Sequence, residues 1–192
     1  GKTLLYVGYD GKLLGTIGLA DELRANAKES ILKLRKLGVK NIIMLTGDVK
    51  EKAEKIGIEL GVDEVRAELL PKDKADIVKE LMAQGKKVAF VGDGINDAPA
   101  LISAHVGISM SRGADIAKAT ADISLLKDDI ACVVEAKEYA NKTMSLINTN
   151  FNATVGINSG ILLGATFGLF SPIVTAVLHN GTTIGLLLNS IK

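Results

Sequence analysis

Two carboxylates, Asp93 and Asp97, stand four residues apart in the string Val91-Gly92-Asp93-Gly94-Ile95-Asn96-Asp97-Ala98-Pro99-Ala100-Leu101. Oxygen ligands of this type suit a hard divalent cation, and one helical turn of spacing lets both point the same way. The apolar residues Val88, Ala89, Phe90 and Val91 read as a central strand of a parallel sheet. Gly92 and Gly94 let the backbone turn sharply at its carboxyl end, where open α/β sheets bind ligands. Asp93 is expected at the strand tip and Asp97 one helical turn on, both facing a crevice suited to a cation and a phosphate.

This string resembles the hinge motif of P-type ATPases, cation pumps whose phosphorylation domain belongs to the haloacid dehalogenase superfamily. Leu45-Thr46-Gly47-Asp48 is similar to their second phosphate-site motif, and Pro71-Lys72-Asp73-Lys74 resembles the segment carrying their phosphate-site lysine, here Lys74. The three occur in the family's order, and the likeness covers almost the whole chain, matching the back half of a heavy-metal-type pump. It implies that Asp93 ligates Mg²⁺, while Asn96 and Asp97 order the loop and the water shell of the metal. It further implies that the Thr46 hydroxyl and Gly47 N–H, in the motif that Asp48 completes, donate to the transferred phosphoryl, which Lys74 holds by charge. Mg²⁺ and ATP are the implied cofactors, ATP being bound mainly by a nucleotide domain outside these residues. Plainer readings stand beside these: Thr46-Gly47-Asp48 can cap a helix, and Lys74 can be a solvated helix start.

The family's nucleophile string, Asp-Lys-Thr-Gly-Thr, does not occur in the sequence, nor do its Thr-Gly-Glu, His-Pro, Cys-Pro-Cys or Ser-Pro-Cys motifs. The chain alone is therefore expected to be inactive. Its expected partner is the N-terminal part of the pump, on the same polypeptide or as a split subunit. Opening on Gly1 with no leader pattern is what a piece of a longer protein would show. Glu22 stands where such pumps usually carry a proline after Asp21, and Val49 where an asparagine often follows the Thr-Gly-Asp.

The elements that must position these residues follow from periodicity. Residues 4–10 and 13–19, joined by Asp10-Gly11, read as a hairpin. A helix over 22–37 stops at Gly38. Strands at 41–45, 64–67, 87–91, 106–110 and 122–126 alternate with helices at 50–60, 72–83, 96–103 and a short one from Ala114. That alternation predicts an α/β fold with a doubly wound parallel sheet. The expected divisions are 1–20, the hairpin at the end of the nucleotide domain; 21–128, the phosphorylation domain; and 129–145, a connecting helix. Transmembrane helices are expected at 146–169 and 173–191.

Charge distribution carries the membrane expectation. All 22 acidic and 22 of the 23 basic residues lie in 1–142, whereas 143–191 holds no Asp, Glu, Lys or Arg. Phe170-Ser171-Pro172 breaks that tract into two lengths near the ~20 residues needed to span a bilayer. The expected location is an integral membrane protein, of the plasma membrane, in contact with lipid, with residues 1–145 cytoplasmic. Gly156, Gly160, Gly164 and Gly168 recur every four residues and Gly181 and Gly185 repeat the interval, a small-residue packing stripe.

His179-Asn180-Gly181-Thr182-Thr183 resembles the final-helix motif of heavy-metal pumps. His179 is thus a candidate ligand for a transported transition-metal ion, or else a helix-to-helix hydrogen bond partner. His105 is expected to be structural. Cys132, the only cysteine, is an apolar filler with no disulfide to make. A formal charge of +1 gives no electrostatic basis for nucleic acid binding. Two other classes compete: a soluble phosphatase of the same superfamily, lacking here its Asp-x-Asp nucleophile, and a non-catalytic truncated or split membrane subunit.

Overall fold

The computed structural model describes residues 3–19, 23–92, 95–110 and 119–191. Asp93, Asp21, Glu22 and the helix expected from Ala114 lie outside the described residues. The chain divides into two compact units, Gly1–Glu135 and Ala136–Lys192.

The first unit opens with β1 (Thr3–Tyr9) and β2 (Lys12–Leu19), antiparallel, with Tyr9 opposite Lys12. Asp10 (φ 49°) and Gly11 (φ 70°) are both left-handed, as a two-residue hairpin turn of this twist requires. Helix α1 (Ala27–Lys36) starts later than its periodicity suggests. Arg24 and Asn26 just before it are engaged elsewhere, Arg24 in an ion pair with Asp128 at 2.9 Å and Asn26 donating to Asp129.

From there strands and helices alternate: β3 (Ile43–Leu45), α2 (Lys50–Leu60), β4 (Glu64–Arg66), α3 (Pro71–Ala83) and β5 (Ala89–Gly92). A 3-10 turn (Ile95–Asp97), α4 (Ala98–Ser103), β6 (Val106–Ser109) and β7 (Ile123–Ser124) follow. All pairings after the hairpin are parallel. They form two ladders among the described residues, β3–β4 and β5–β6–β7, rather than the single sheet expected.

Packing joins what the ladders leave apart. Ala75 and Val78 of α3, Phe90 of β5 and Ala100 and Leu101 of α4 form one buried cluster, against which Leu45 of β3 packs. A second cluster of Ile108, Met110, Leu125 and Val133 includes Cys132 at its edge. His105 Nδ1 accepts the Val88 N–H at 3.3 Å, a structural role as expected.

Helix α5 (Ala131–Thr166) runs from the first unit into the second without a break, and α6 (Pro172–Asn189) follows. Between them Gly168 (φ 72°) permits a left-handed stop, Leu169 N–H returns to Gly164 O at 2.9 Å, and Ser171 caps α6. The two helices of this unit meet through polar groups. Asn150 Nδ2 donates to Ser190 Oγ at 2.7 Å, Asn189 Nδ2 donates to Asn150 Oδ1 at 3.0 Å, and His179 Nδ1 lies 3.0 Å from Asn158 Oδ1.

A Cβ on Gly156, Gly160, Gly181 or Gly185 would meet nothing within 4 Å, so the glycine stripe is not the surface joining α5 to α6. Only Gly164 is closely approached, by the Phe170 ring. Among the described residues no helix is long and apolar enough to cross a membrane, so the two crossings expected at 146–169 and 173–191 are not shown. The physical reason is dilution. Asn148, Asn150, Asn152 and Asn158 lower the hydropathy of α5, and His179, Asn180 and Asn189 that of α6, which is only 18 residues long.

Candidate active site

Thr46 leaves β3 directly, and its backbone is pinned on both sides. Its N–H donates to Arg66 O at 3.0 Å and its carbonyl accepts from Leu69 N–H at 3.1 Å. The Thr46 hydroxyl oxygen accepts the Asp48 N–H at 3.1 Å, a bond in which the hydroxyl keeps its own proton to give. A Cβ on Gly47 would stand 3.3 Å from Leu69 O, so a residue with a side chain would crowd this turn. Asp48 accepts the Glu68 N–H at 2.9 Å through its carbonyl, while its carboxylate lies 3.7 Å from Lys52. The helix-cap alternative is not what is seen: α2 has Val49 at its N-cap and no side-chain cap.

The segment that pins Thr46 leads straight to Lys74. Glu68 is left-handed (φ 58°), Leu70 is the N-cap of α3, and Pro71 fills the first helical position, where no N–H is needed. Asp73 accepts the Leu70 N–H at 2.8 Å and fixes the helix start. Lys74, in that first turn, reaches Asp97 Oδ1 at 2.8 Å. The pair is largely removed from water, with side chains 19% and 10% exposed.

Asp97 ends the 3-10 turn and occupies the N-cap position of α4 without a side-chain capping bond, while Asn96 on the same turn is exposed. Gly92 ends β5 beneath it. A Cβ there would stand 2.7 Å from Asp97 Cβ and 2.9 Å from Oδ2, so the missing side chain is what makes room for the carboxylate. The sequence marks Gly92 as a turn residue; its spacing role follows from glycine at a strand end, where another group comes close. Arg66 and Leu69, which fasten the Thr46 loop by backbone atoms alone, carry no side-chain signal.

The structure therefore brings Lys74 and Asp97 into contact, gathers Thr46, Gly47 and Asp48 in one turn, and ties that turn to the start of the helix carrying Lys74. Asp97 supplies one buried oxygen ligand of the type Mg²⁺ takes, here paired with the Lys74 ammonium. Asp93 lies outside the described residues. Among the described residues no cluster of three or more His, Cys, Asp or Glu could hold a metal. His179 belongs to the second unit, where it lines an open groove of about 600 Å³ with Ala165, Phe170, Pro172, Thr175 and Ala176.

Parallel strands alternating with helices, with a hydroxyl turn, a lysine and a buried carboxylate after their carboxyl ends, define an α/β domain of hydrolase-like architecture. Residues 1–105 match the model of the haloacid dehalogenase-like hydrolases, and the chain belongs to that family. It is similar to the zinc-exporting P-type ATPase of Mycobacterium marinum, 42% identical over 191 residues, which cover 98% of this chain and 26% of that protein. A probable cadmium-transporting ATPase of Staphylococcus aureus is 42% identical over 193 residues, covering 100% of this chain and 24% of that one. The fold is like that of a zinc-transporting PIB-type ATPase crystallised in its E2·Pi state, with TM-score 0.85 and 37% identity over 99% of this chain and 31% of that chain. The chain is thus a homologue of heavy-metal P-type ATPases, and it spans about a quarter of the length of the curated relatives it matches.

Proposed function

We propose that this chain is the C-terminal portion of an ATP-driven transition-metal pump, supplying the Mg²⁺-binding and phosphate-stabilising half of its phosphorylation site. The observation that carries this reading is the buried Lys74–Asp97 pair, with the Thr46 turn tied to the start of the same helix. The phosphorylated aspartate would come from polypeptide outside these 192 residues, as would most contacts to ATP.

In this reading the Thr46 hydroxyl and Gly47 N–H donate to oxygens of the transferred phosphoryl, and Lys74 offsets their charge. Asp48 shapes the turn through its N–H and carbonyl. Asp93 and Asp97 hold Mg²⁺, with Asn96 beside them ordering its water shell. Bound there, the ion neutralises phosphate charge as it builds up in transfer.

The second unit is proposed to sit in lipid as a pair of helices. Hydropathy averaged along one helix counts inner and outer faces alike. Here Asn150, Asn158, His179 and Asn189 bond across the pair, and Thr154, Thr166, Thr175, Thr182 and Thr183 bond back to their own helices. Phe151, Leu162, Leu163, Ile173, Val177 and Leu187 are exposed on the outside, a surface suited to acyl chains. Residues 1–145 would then lie in the cytoplasm. His179 would present Nε2 to a transported ion while Nδ1 is oriented by Asn158. The names of the relatives make zinc and cadmium the first ions to try.

The test is turnover of the intact pump. Asp93→Ala and Lys74→Ala should each lower metal-stimulated ATP hydrolysis by about a hundredfold or more. Wild-type turnover in either variant rejects the assignment of that residue.

A further inference from the structure

The hydrogen bonds that fasten Thr46 do not continue the ladder of β3 and β4 in register. Leu45 stands opposite Arg66, so a regular parallel ladder would bond Thr46 to the carbonyl of residue 66 and the amide of residue 68. The first bond is made, Thr46 N–H to Arg66 O at 3.0 Å, but the Thr46 carbonyl accepts from Leu69 instead, at 3.1 Å. One extra residue has been inserted beyond β4, which is a bulge. The displaced Glu68 N–H donates to Asp48 O at 2.9 Å. Glu68 is left-handed (φ 58°), a conformation that glycine takes in bulges and that a Cβ disfavours. Among the described residues only Asp10, in the hairpin turn, shares a positive φ without being glycine.

Bulges beside functional sites re-aim the groups that follow them. This one sets Leu69 O against Gly47 and passes the chain to Leu70 and Pro71, where α3 begins. Three backbone bonds thus tie residues 46–48 to 66–69, and the Asp73 carboxylate ties Leu70 to the first turn of α3, which carries Lys74.

We propose that Glu68 is a positioning residue: its left-handed backbone, and not its carboxylate, forms the bulge that holds the Thr46 turn and the Lys74 helix start in register as one body. The proposal rests on the reading of Thr46 and Lys74 as phosphate-stabilising groups given above. Donors that meet one phosphoryl group from two chain segments act best when their spacing is set before it arrives. A residue at 68 that rejects positive φ returns its amide to Thr46 O in the regular register and draws the start of α3 away from the turn.

Orthovanadate, a phosphate mimic, tests this on the intact pump, through inhibition of metal-stimulated ATP hydrolysis and through backbone hydrogen exchange read by mass spectrometry. Glu68→Val, β-branched and averse to positive φ, should raise the half-inhibiting vanadate concentration about tenfold and lower kcat by a similar factor, with the KM for ATP unmoved. Glu68→Gly lacks the carboxylate but accepts the backbone conformation, and should behave as the wild type does. Equal behaviour of the two variants overturns the proposal. Should Glu68→Val not fold, the wild type decides: vanadate should slow exchange in 46–48 and 66–70 together, and protection confined to 46–48 overturns the single body. Lys74→Ala separates this claim from the one beneath it. Vanadate protection of 46–48 as strong in that variant as in the wild type overturns the phosphate-site reading and the proposal with it. Weakened protection there, with Glu68→Val unchanged, overturns the role of Glu68 alone.

Discussion

Asp97 depends on an absent methyl group. With Cβ only 2.7 Å from the Asp97 side chain, alanine at position 92 must displace either β5 or the carboxylate. Gly92→Ala should therefore destabilise the chain by about 1–3 kcal/mol in urea denaturation, as overpacking does, and weaken Mg²⁺ binding measured by calorimetry. A fully stable variant with unchanged Mg²⁺ affinity would show that the close approach has no consequence. Sequence reasoning reaches Lys74 and Asp97 because each lies in a longer ordered pattern. It does not reach their contact, which spans 23 residues and is created by α3 and α4 packing on one core. Nor does it separate Asp48 from Thr46. Only the fold shows the Asp48 carboxylate near Lys52, one helical turn away, while its backbone serves the loop.

Among the elements, the start of α5 is fastened most explicitly. Asp129 accepts the Ala131 N–H at 2.8 Å and takes a second hydrogen bond from Asn26. Arg24, two residues earlier, pairs with Asp128. The Ala131 N–H first, then Asn26, Arg24 and Lys127, hold the Asp129 carboxyl below the ordinary aspartate range. The Ile42 N–H and Arg35 do the same for Asp63. Both groups have folded values depressed below their unfolded ones. Their contribution is thus present above the unfolded value of about 3.9 and lost as pH falls through the folded value. Acid titration of the urea midpoint should decline over that window, and Asp129→Ala should flatten the decline while lowering the midpoint at neutral pH. An unchanged acid limb would remove the clasp from the account. Helix α2 is legible to the residue, because Gly61 in the left-handed conformation stops it. The start of α1 is not, because Arg24 and Asn26 belong to a clasp with residues more than 100 positions away. The glycine stripe is legible as a face, and within this chain that face meets nothing at Gly156, Gly160, Gly181 or Gly185. Its spacing describes a smooth face, but pairing of α5 with α6 is set by asparagine, serine and histidine.

For the whole molecule, an α/β unit is followed by a helix pair that is polar between its members and apolar outside. If the pair lies in lipid, the chain should stay with membranes after an alkaline carbonate wash, and removal of residues 143–192 should release it. Recovery of the whole chain in the wash would contradict membrane insertion. His179→Ala should shift the metal concentration for half-maximal pump stimulation more than it alters phosphate chemistry; an unshifted value would return His179 to a helix-pairing role. The central claim is that these residues form the phosphate-stabilising half of a metal pump's phosphorylation site. Its most direct measurement is labelling by [γ-³²P]ATP of the native polypeptide, captured from membranes with an antibody to residues 1–142, in Mg²⁺ with zinc or cadmium. A metal-dependent, hydroxylamine-labile label on the polypeptide bearing this sequence, or on a partner captured with it, is the predicted result. Absence of label from both, with every metal tried, would contradict it.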